Sequence, residues 1–244
     1  MTENRLLPPR SWLPNAVTAA NITAGFLAME SAASGRFEIA VYLLMLAVLL
    51  DSADGRLARL LNATSAFGQQ LDSLSDVISF GVAPAFLVYH ACLEPLGPLG
   101  LVVSLTYLFA GVYRLARFNV LADEHSKASR TMGVPIPIGA GYLMAAALMR
   151  DAMSPAASAL VVLAMAMLMI SRWRLPDLKG KNLVSTMLLI GLFNYVGVLI
   201  APNWYTVGWW NVWNALIVVV ARRSDRAADS VDSAGELGDA ESTA

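Results

Sequence analysis

The sequence predicts an all-α integral membrane protein, a bundle of about eight transmembrane helices with both termini in the cytoplasm. Of the 244 residues, 57% are hydrophobic and only 14% are charged, and the mean hydropathy is +0.58. This composition is typical of polytopic membrane proteins and excludes a soluble domain. Apolar stretches recur along the chain, each close in length to the ~20 residues that a helix needs to cross the hydrocarbon core of a membrane. The distribution of lysine and arginine sets their orientation.

The predicted spans follow one another with short connections. The second begins near Phe37 and runs into Asp51 without a turn signal, so the residues after Asp51 continue its helix. The linker NATSAFGQQ at 62–70 is typical of a turn. Prolines 135 and 137, with Gly139, predict a kink or an irregular start for the fifth span. The expected spans lie at about 15–34, 37 to beyond 51, 71–93, 97–119, 133–150, 155–172, 183–201 and 205–221.

Basic residues are concentrated on one predicted side of the membrane. Fifteen fall on the side of the N-terminal arm, and only Arg36 and Arg150 fall on the other. The positive-inside rule therefore predicts that both termini are cytoplasmic. Five aromatic residues near the opposite boundary are typical of an interfacial belt: Trp204, Tyr205, Trp209, Trp210 and Trp213.

Residues 1–221 are expected to form a single membrane-embedded domain, followed by a disordered acidic cytoplasmic tail at 222–244. No cleavable signal peptide is expected, because the first apolar stretch runs past signal-peptide length. The single cysteine, Cys92, excludes an intramolecular disulfide and is expected to be a small apolar filler.

Four carboxylates interrupt this apolar chain between residues 51 and 76. Asp51 and Asp54 are three residues apart and Asp72 and Asp76 are four apart, so each pair projects from one face of a helix. Intramembrane carboxylates cost free energy to desolvate and indicate a functional site by default. Oxygen ligands without a histidine or cysteine cluster favour hard cations. Four facing carboxylates could hold two such ions, Mg²⁺ or Mn²⁺, as a clamp for a diphosphate.

The residues between the carboxylates suit a diphosphate substrate. Gly55 and Ala58 keep one side of the helix small, and Gly68 permits close approach or an unusual backbone angle at the predicted turn. The guanidinium of Arg59 could bind a phosphate or pair with a carboxylate. In the structural alternative, the aspartates pair with Arg56 and Arg59 and hold two helices together.

Residues 51–76 also carry the whole signature of a known family, which the chain resembles at all eight fixed positions: Asp51, Asp54, Gly55, Ala58, Arg59, Gly68, Asp72 and Asp76. The family is the CDP-alcohol phosphatidyltransferases. The resemblance implies a membrane enzyme that uses divalent metal to transfer a phosphatidyl group from a CDP-linked lipid to an alcohol, releasing CMP. It also implies that Asp51, Asp54 and Asp72 bind metal, and that Asp76 contacts the second ion and acts as general base.

Three further segments resemble the phosphatidylserine synthases of bacteria and archaea: DSLSDVISFGVAPA at 72–85, YRLARFN at 113–119 and GVPIPIGAG at 133–141. The resemblance covers about residues 14–141. It implies that CDP-diacylglycerol and L-serine are the substrates, that the protein lies in a prokaryotic cytoplasmic membrane with its active site facing the cytoplasm, and that it forms a homodimer. No nucleic-acid partner is expected.

Several residues are expected to contact these substrates, each with a structural alternative. Thr18 and Asn21 match a PN-x-x-T-x-x-N pattern similar to the family's nucleotide-contacting entry, or they make helix–helix hydrogen bonds. Ser79 shapes the acceptor pocket or bonds its own helix backbone. A second group at a cytoplasmic helix end could bind the carboxylate of serine or a lipid phosphate, or anchor the helix at the membrane surface: Arg114, Arg117 and Asn119.

Three rival functions remain open. A sister enzyme would use glycerol 3-phosphate, inositol phosphate or choline as acceptor. A cation or lipid transporter would be expected to place its carboxylates near the bilayer midplane and to show two matching halves, which are not visible here. A catalytically silent scaffold is disfavoured because no signature position is substituted.

Overall fold

The computed structural model describes residues 11–123 and 133–171, and shorter stretches at 191, 195–198, 200–213 and 216. Every regular element in these ranges is helical, which confirms the all-α class for the described part of the chain. Seven α-helices are defined there: α1 (Trp12–Ala33), α2 (Phe37–Leu60), α3 (Ala66–Asp76), α4 (Ala83–Val88), α5 (Pro98–Asp123), α6 (Ile136–Leu148) and α7 (Pro155–Ile170).

Helices α1 and α2 form an antiparallel pair joined by a three-residue turn. Gly35 in this turn has a φ of +71°, which glycine adopts without a steric penalty. Small and polar residues recur on the buried face of α1, and the absence of bulky side chains allows close approach of the neighbouring helices. These residues are Pro14, Thr18, Asn21, Ala24, Gly25, Ala28, Ser31 and Ala32.

Helix α2 continues through Asp51 to Leu60, as the lack of a turn signal predicts. The following turn is shorter than expected, because Ser65 caps the next helix by accepting a hydrogen bond from the Gly68 backbone N–H at 3.0 Å. Helix α3 therefore begins at Ala66, not near Leu71. Gly68 consequently lies in the first turn of α3 and not in the connecting turn. A Cβ there would lie 3.2 Å from Ser65 Oγ and 3.6 Å from Asn15 Oδ1, so of its two expected roles the structure shows close approach and not an unusual backbone angle. The left-handed residue of the turn is Asn62, with a φ of 50°.

The third helical run is continuous from Ala66 to Leu96. It passes from α3 through a π-helical stretch (Val77–Val82) into α4, and ends in a second π-helical stretch and a 3-10 turn. Pro84 lacks an N–H, so the Phe80 carbonyl cannot receive the usual α-helical hydrogen bond from it. The buried Tyr107 hydroxyl on α5 donates to that carbonyl at 2.9 Å and satisfies it.

The entry to α6 is irregular, as its prolines predict. Gly133 has a φ of +73°, Pro135 precedes the first helical residue, and the Val134 N–H donates to the Leu168 carbonyl of α7 at 3.2 Å. Cys92 is buried and donates to the Ala146 carbonyl of α6. Its expected role as a small buried filler agrees with this position.

Two of the described helices are long and apolar enough to cross a membrane: Ala66–Leu96 and Pro98–Val120. Ile136–Leu148 and Pro155–Ile170 are apolar but shorter. Helix α2 has 24 residues, but its second half carries the charged site residues. The described residues thus contain two candidate spans, and the number of eight stays a prediction.

The chain divides into two compact units, and α1–α7 all belong to the first. In the second unit the described residues 195–198 and 204–213 are helical, and the rings of Tyr195 and Trp210 pack with centroids 4.8 Å apart. Trp210 is buried there, whereas Trp204, Tyr205 and Trp209 are exposed. Most of the predicted span at 183–201, part of that at 205–221 and the tail at 222–244 lie outside the described residues.

Candidate functional site

Three of the four aspartates meet where α2 faces α3. Asp51 and Asp54 on α2 and Asp72 on α3 each offer a carboxylate oxygen, and these oxygens all lie within 4.8 Å of one another. Asp54 is buried, with 4% of its surface exposed, while Asp51 and Asp72 are partly buried. The short turn between the two helices brings the predicted carboxylate faces together.

Asp76 lies beside this trio, one helical turn beyond Asp72. The charge of its carboxylate interacts with those of Asp51 and Asp72. Its Oδ1 atom is buried and has no hydrogen-bond partner among the described residues. Asp76 therefore presents an oxygen that no described protein group uses.

No described arginine neutralises the trio. The ion pairs between described residues join Arg36 to Glu30 and Arg150 to Glu38. Both pairs lie near the turn between α1 and α2, at the ends of these helices away from the aspartates. Arg56 and Arg59 are exposed and make no ion pair with the aspartates. The alternative in which these arginines hold the aspartates together is therefore not what the described residues show.

The donor set fits a hard divalent cation. Carboxylates as close as these repel one another, and partly buried ones need a compensating charge. Asp51, Asp54 and Asp72 supply only oxygen atoms, the ligands that Mg²⁺ and Mn²⁺ prefer. The site is thus compatible with metal binding.

A cavity of about 180 Å³ opens beside Asp54 and Asp72. Five further predicted substrate-contacting residues line it: Thr18, Gly55, Ala58, Arg59 and Gly68. A Cβ on Gly55 would meet only the Arg59 guanidinium, at 3.7 Å, so this side of the cavity is open. Five lining residues are not among the predicted ones: Pro14, Asn15, Thr64, Ser65 and Gln69. Pro14 and Asn15 belong to the PN-x-x-T-x-x-N pattern, and the other three belong to the linker that the sequence indicates only as a turn.

Thr18 connects α1 to the aspartate trio. Its Oγ1 lies 2.7 Å from Asp54 Oδ2 and 3.1 Å from the Pro14 carbonyl of its own helix. Thr18 is 4% exposed, as is Asp54. A cavity-lining residue thus also contacts a candidate metal ligand directly.

Asn21 and Ser79 lie deeper, between α1 and the third helical run. The Ser79 hydroxyl donates to the Asn21 backbone carbonyl at 3.2 Å, so it bonds a neighbouring helix and not its own. The Asn21 side chain is fully buried, and neither its Oδ1 nor its Nδ2 has a partner among the described residues. Neither residue lines the cavity.

The predicted acceptor-binding residues on α5 separate into two groups. Arg114 is 6% exposed, its charge interacts with Asp76, and its Nε has no hydrogen-bond partner among the described residues. Arg117 instead donates to the carbonyls of Ile170 and Ser171 at the end of α7, at 3.1 and 3.2 Å. Both of these donors therefore cap the end of α7, which is neither of the two roles expected for Arg117. Asn119 donates to Ser73 Oγ on α3 at 3.1 Å.

Sequence comparison identifies relatives of the chain. The profile of the family described as CDP-alcohol phosphatidyltransferase matches residues 11–220. A CDP-diacylglycerol–serine O-phosphatidyltransferase of Bacillus subtilis is 34% identical over 178 residues, which cover 72% of this chain and 97% of the relative. An archaetidylserine synthase of Methanothermobacter thermautotrophicus is 35% identical over 170 residues, 69% of this chain and 71% of the relative.

A CDP-diacylglycerol–serine O-phosphatidyltransferase of Helicobacter pylori is 41% identical over 132 residues, 54% of this chain. The match spans about half of that relative, 55% of its length.

Proposed function

Because the chain belongs to the CDP-alcohol phosphatidyltransferase family, we propose that it transfers the phosphatidyl group of CDP-diacylglycerol to the hydroxyl of L-serine, giving phosphatidylserine and CMP. The observation that carries the proposal is the family signature folded as an aspartate trio beside a cavity. Three relatives support serine as the acceptor. Two bacterial ones are named CDP-diacylglycerol–serine O-phosphatidyltransferase, and an archaeal one is named archaetidylserine synthase.

The aspartates have distinct roles in this proposal. Asp51, Asp54 and Asp72 hold divalent metal, and Asp76 contacts the second of two ions, Mg²⁺ or Mn²⁺. When bound, the ions neutralise the diphosphate and stabilise the phosphate that leaves. The close oxygens of the trio and the unused Oδ1 of Asp76 support this assignment.

Asp76 acts as the general base. The serine hydroxyl oxygen attacks the phosphorus that carries the diacylglycerol, and the bond from that phosphorus to the bridging diphosphate oxygen breaks. The hydroxyl proton moves to the Asp76 carboxylate, and CMP departs with the bridging oxygen. A general base must lie within hydrogen-bonding reach of the proton it takes, and a partly buried Asp76 whose Oδ1 no described protein group uses suits this role.

The cavity binds the CDP moiety of the lipid. Gly55, Ala58 and Gly68 leave room for the diphosphate, and Arg59 supplies planar donors for a phosphate. Thr18 lines the same cavity. Asn21 belongs to the same sequence pattern as Thr18, and it supports the cavity from its position between the helices.

Arg114 is the principal acceptor-binding residue. A buried guanidinium beside the base, with Nε free of described protein partners, is suited to the carboxylate of serine. Arg117, Asn119 and Ser79 already donate to protein groups. We place them around the acceptor pocket as residues that hold its walls.

The same proposal includes topology. Residues 1–221 form one catalytic membrane domain of eight spans, with both termini and the active site on the cytoplasmic side of a prokaryotic membrane, and 222–244 form a tail. The protein acts as a homodimer. Two long apolar helices support the membrane location, and the 15-to-2 distribution of basic residues supports the orientation.

CMP release against a panel of alcohols tests the acceptor. Purified protein with CDP-diacylglycerol and Mn²⁺ is given L-serine, glycerol 3-phosphate, inositol phosphate or choline in separate reactions. We expect CMP release above background only with L-serine. Release with another alcohol alone would assign the chain to a sister activity. No release with any acceptor, from folded protein that binds Mn²⁺, would argue against an enzyme.

A further inference from the structure

Thr18 donates to the carboxylate of Asp54, and we infer that it is a positioning residue that orients this aspartate for the divalent cation. This inference rests on the proposed function, because it takes Asp54 as a metal ligand. It differs from the nucleotide-contacting role expected from the sequence pattern. Thr18 would act through Asp54 and would set the affinity for the cation even when no substrate is present.

The hydrogen-bond distances favour donation to Asp54. A threonine hydroxyl carries a single proton, so it donates fully to one acceptor at a time. The distance from Oγ1 to Asp54 Oδ2 is 2.7 Å, within the range of a hydrogen bond to a charged carboxylate. The distance to the Pro14 carbonyl is 3.1 Å.

Other threonines in the structure show what ordinary bonding to the own helix looks like. Thr23 and Thr106 each bond the carbonyl four residues earlier, at 2.8 Å, and both are exposed. Thr18 is further from its own carbonyl and closer to the carboxylate of a neighbouring helix. Its hydroxyl is thus oriented across the interface between α1 and α2.

Burial makes this contact consequential. Thr18 and Asp54 are each 4% exposed, so water competes little for either oxygen. A hydrogen bond to one carboxylate oxygen restrains the rotation of the whole group, which offers an oxygen within 4.8 Å of those of Asp51 and Asp72. Without the hydroxyl, Asp54 would lose this restraint, and its Oδ2 would lose its side-chain partner.

Mn²⁺ affinity in the absence of lipid substrate tests the inference. Free Mn²⁺ is measured by electron paramagnetic resonance during titration of the wild type, Thr18→Val and Thr18→Ser in detergent. The loss of a bond that orients a metal ligand typically weakens binding by about 10–100-fold, which we expect for Thr18→Val. Thr18→Ser keeps the hydroxyl and should stay within about threefold of the wild type. Thr23→Val, which removes an exposed hydroxyl from the same helix, should bind like the wild type.

Two outcomes would overturn the role of Thr18 without affecting the proposed function. Thr18→Val could bind Mn²⁺ as tightly as the wild type, or Thr18→Ser could bind as weakly as Thr18→Val, which would show that side-chain shape matters and not the hydrogen bond. A wild type that binds no Mn²⁺ would instead contradict the metal site of the proposed function. Thermal unfolding in a chelator identifies any variant that fails to fold, and Thr18→Ala then replaces Thr18→Val in the comparison.

Discussion

Single residues in this protein show which polar groups are committed to the fold and which remain free for a ligand. Arg117 uses its guanidinium to cap α7, and Ser79 uses its hydroxyl to join two helices. Asp76 and Arg114 each keep a buried polar atom without a partner among the described residues. An unsatisfied buried polar atom costs free energy, and these two atoms belong to residues at or beside the aspartate trio, so both are available to a ligand there.

Arg114→Gln should weaken serine binding while leaving the protein folded. Loss of a hydrogen bond to a charged group costs about 1.5–3 kcal/mol, which corresponds to a rise in the KM for serine of roughly 10–100-fold. The KM for CDP-diacylglycerol should change much less. Arg150→Gln is the matched control, because Arg150 pairs with Glu38 near the other end of α2 and should leave both constants unchanged. Equal increases in both KM values for Arg114→Gln would contradict a role confined to the acceptor.

At the scale of helices, the site depends on how closely neighbouring elements approach. Asn15 lies near Gly68, and Gly25 lies against Ser79, so α1 and the third helical run are packed side by side in the same direction. Farther along, Gly133 fits directly against the end of α7, where a Cβ would lie 2.2 Å from the Met169 carbonyl oxygen. This contact fixes the irregular entry to α6.

Gly133→Ala should destabilise the protein more than Gly35→Ala. The two glycines have nearly the same φ, +73° and +71°, so the cost of placing alanine in the left-handed region, of order 1–3 kcal/mol, applies to both. Only Gly133 has backbone atoms where the new Cβ would lie, whereas nothing lies within 4 Å of that position at Gly35. Thermal unfolding in detergent measures the difference. Equal losses of stability in the two variants would show that the α6 entry is not packed as described.

At the scale of the whole molecule, the site was more predictable than the contacts that support it. Helical periodicity places Asp51 with Asp54 and Asp72 with Asp76, and the short linker between α2 and α3 lets Asp72 reach the first pair. A helix–helix hydrogen bond is one of the two roles that the sequence predicts for Thr18, but its partner, Asp54, is not predicted, because no local rule specifies which helix a side chain will meet. The sequence predicts the start of α3 too late, near Leu71, because the cap at Ser65 lies inside a segment rich in turn-forming residues.

The central claim is that the serine hydroxyl oxygen attacks the lipid-linked phosphorus. The most direct measurement supplies L-serine labelled with ¹⁸O in its hydroxyl to protein reconstituted with CDP-diacylglycerol and Mn²⁺, and analyses the products by mass spectrometry. We predict that phosphatidylserine retains the label, that CMP contains none, and that neither forms with Asp76→Asn or after chelation of the metal. Unlabelled phosphatidylserine, or labelled product from Asp76→Asn at the wild-type rate, would contradict the account.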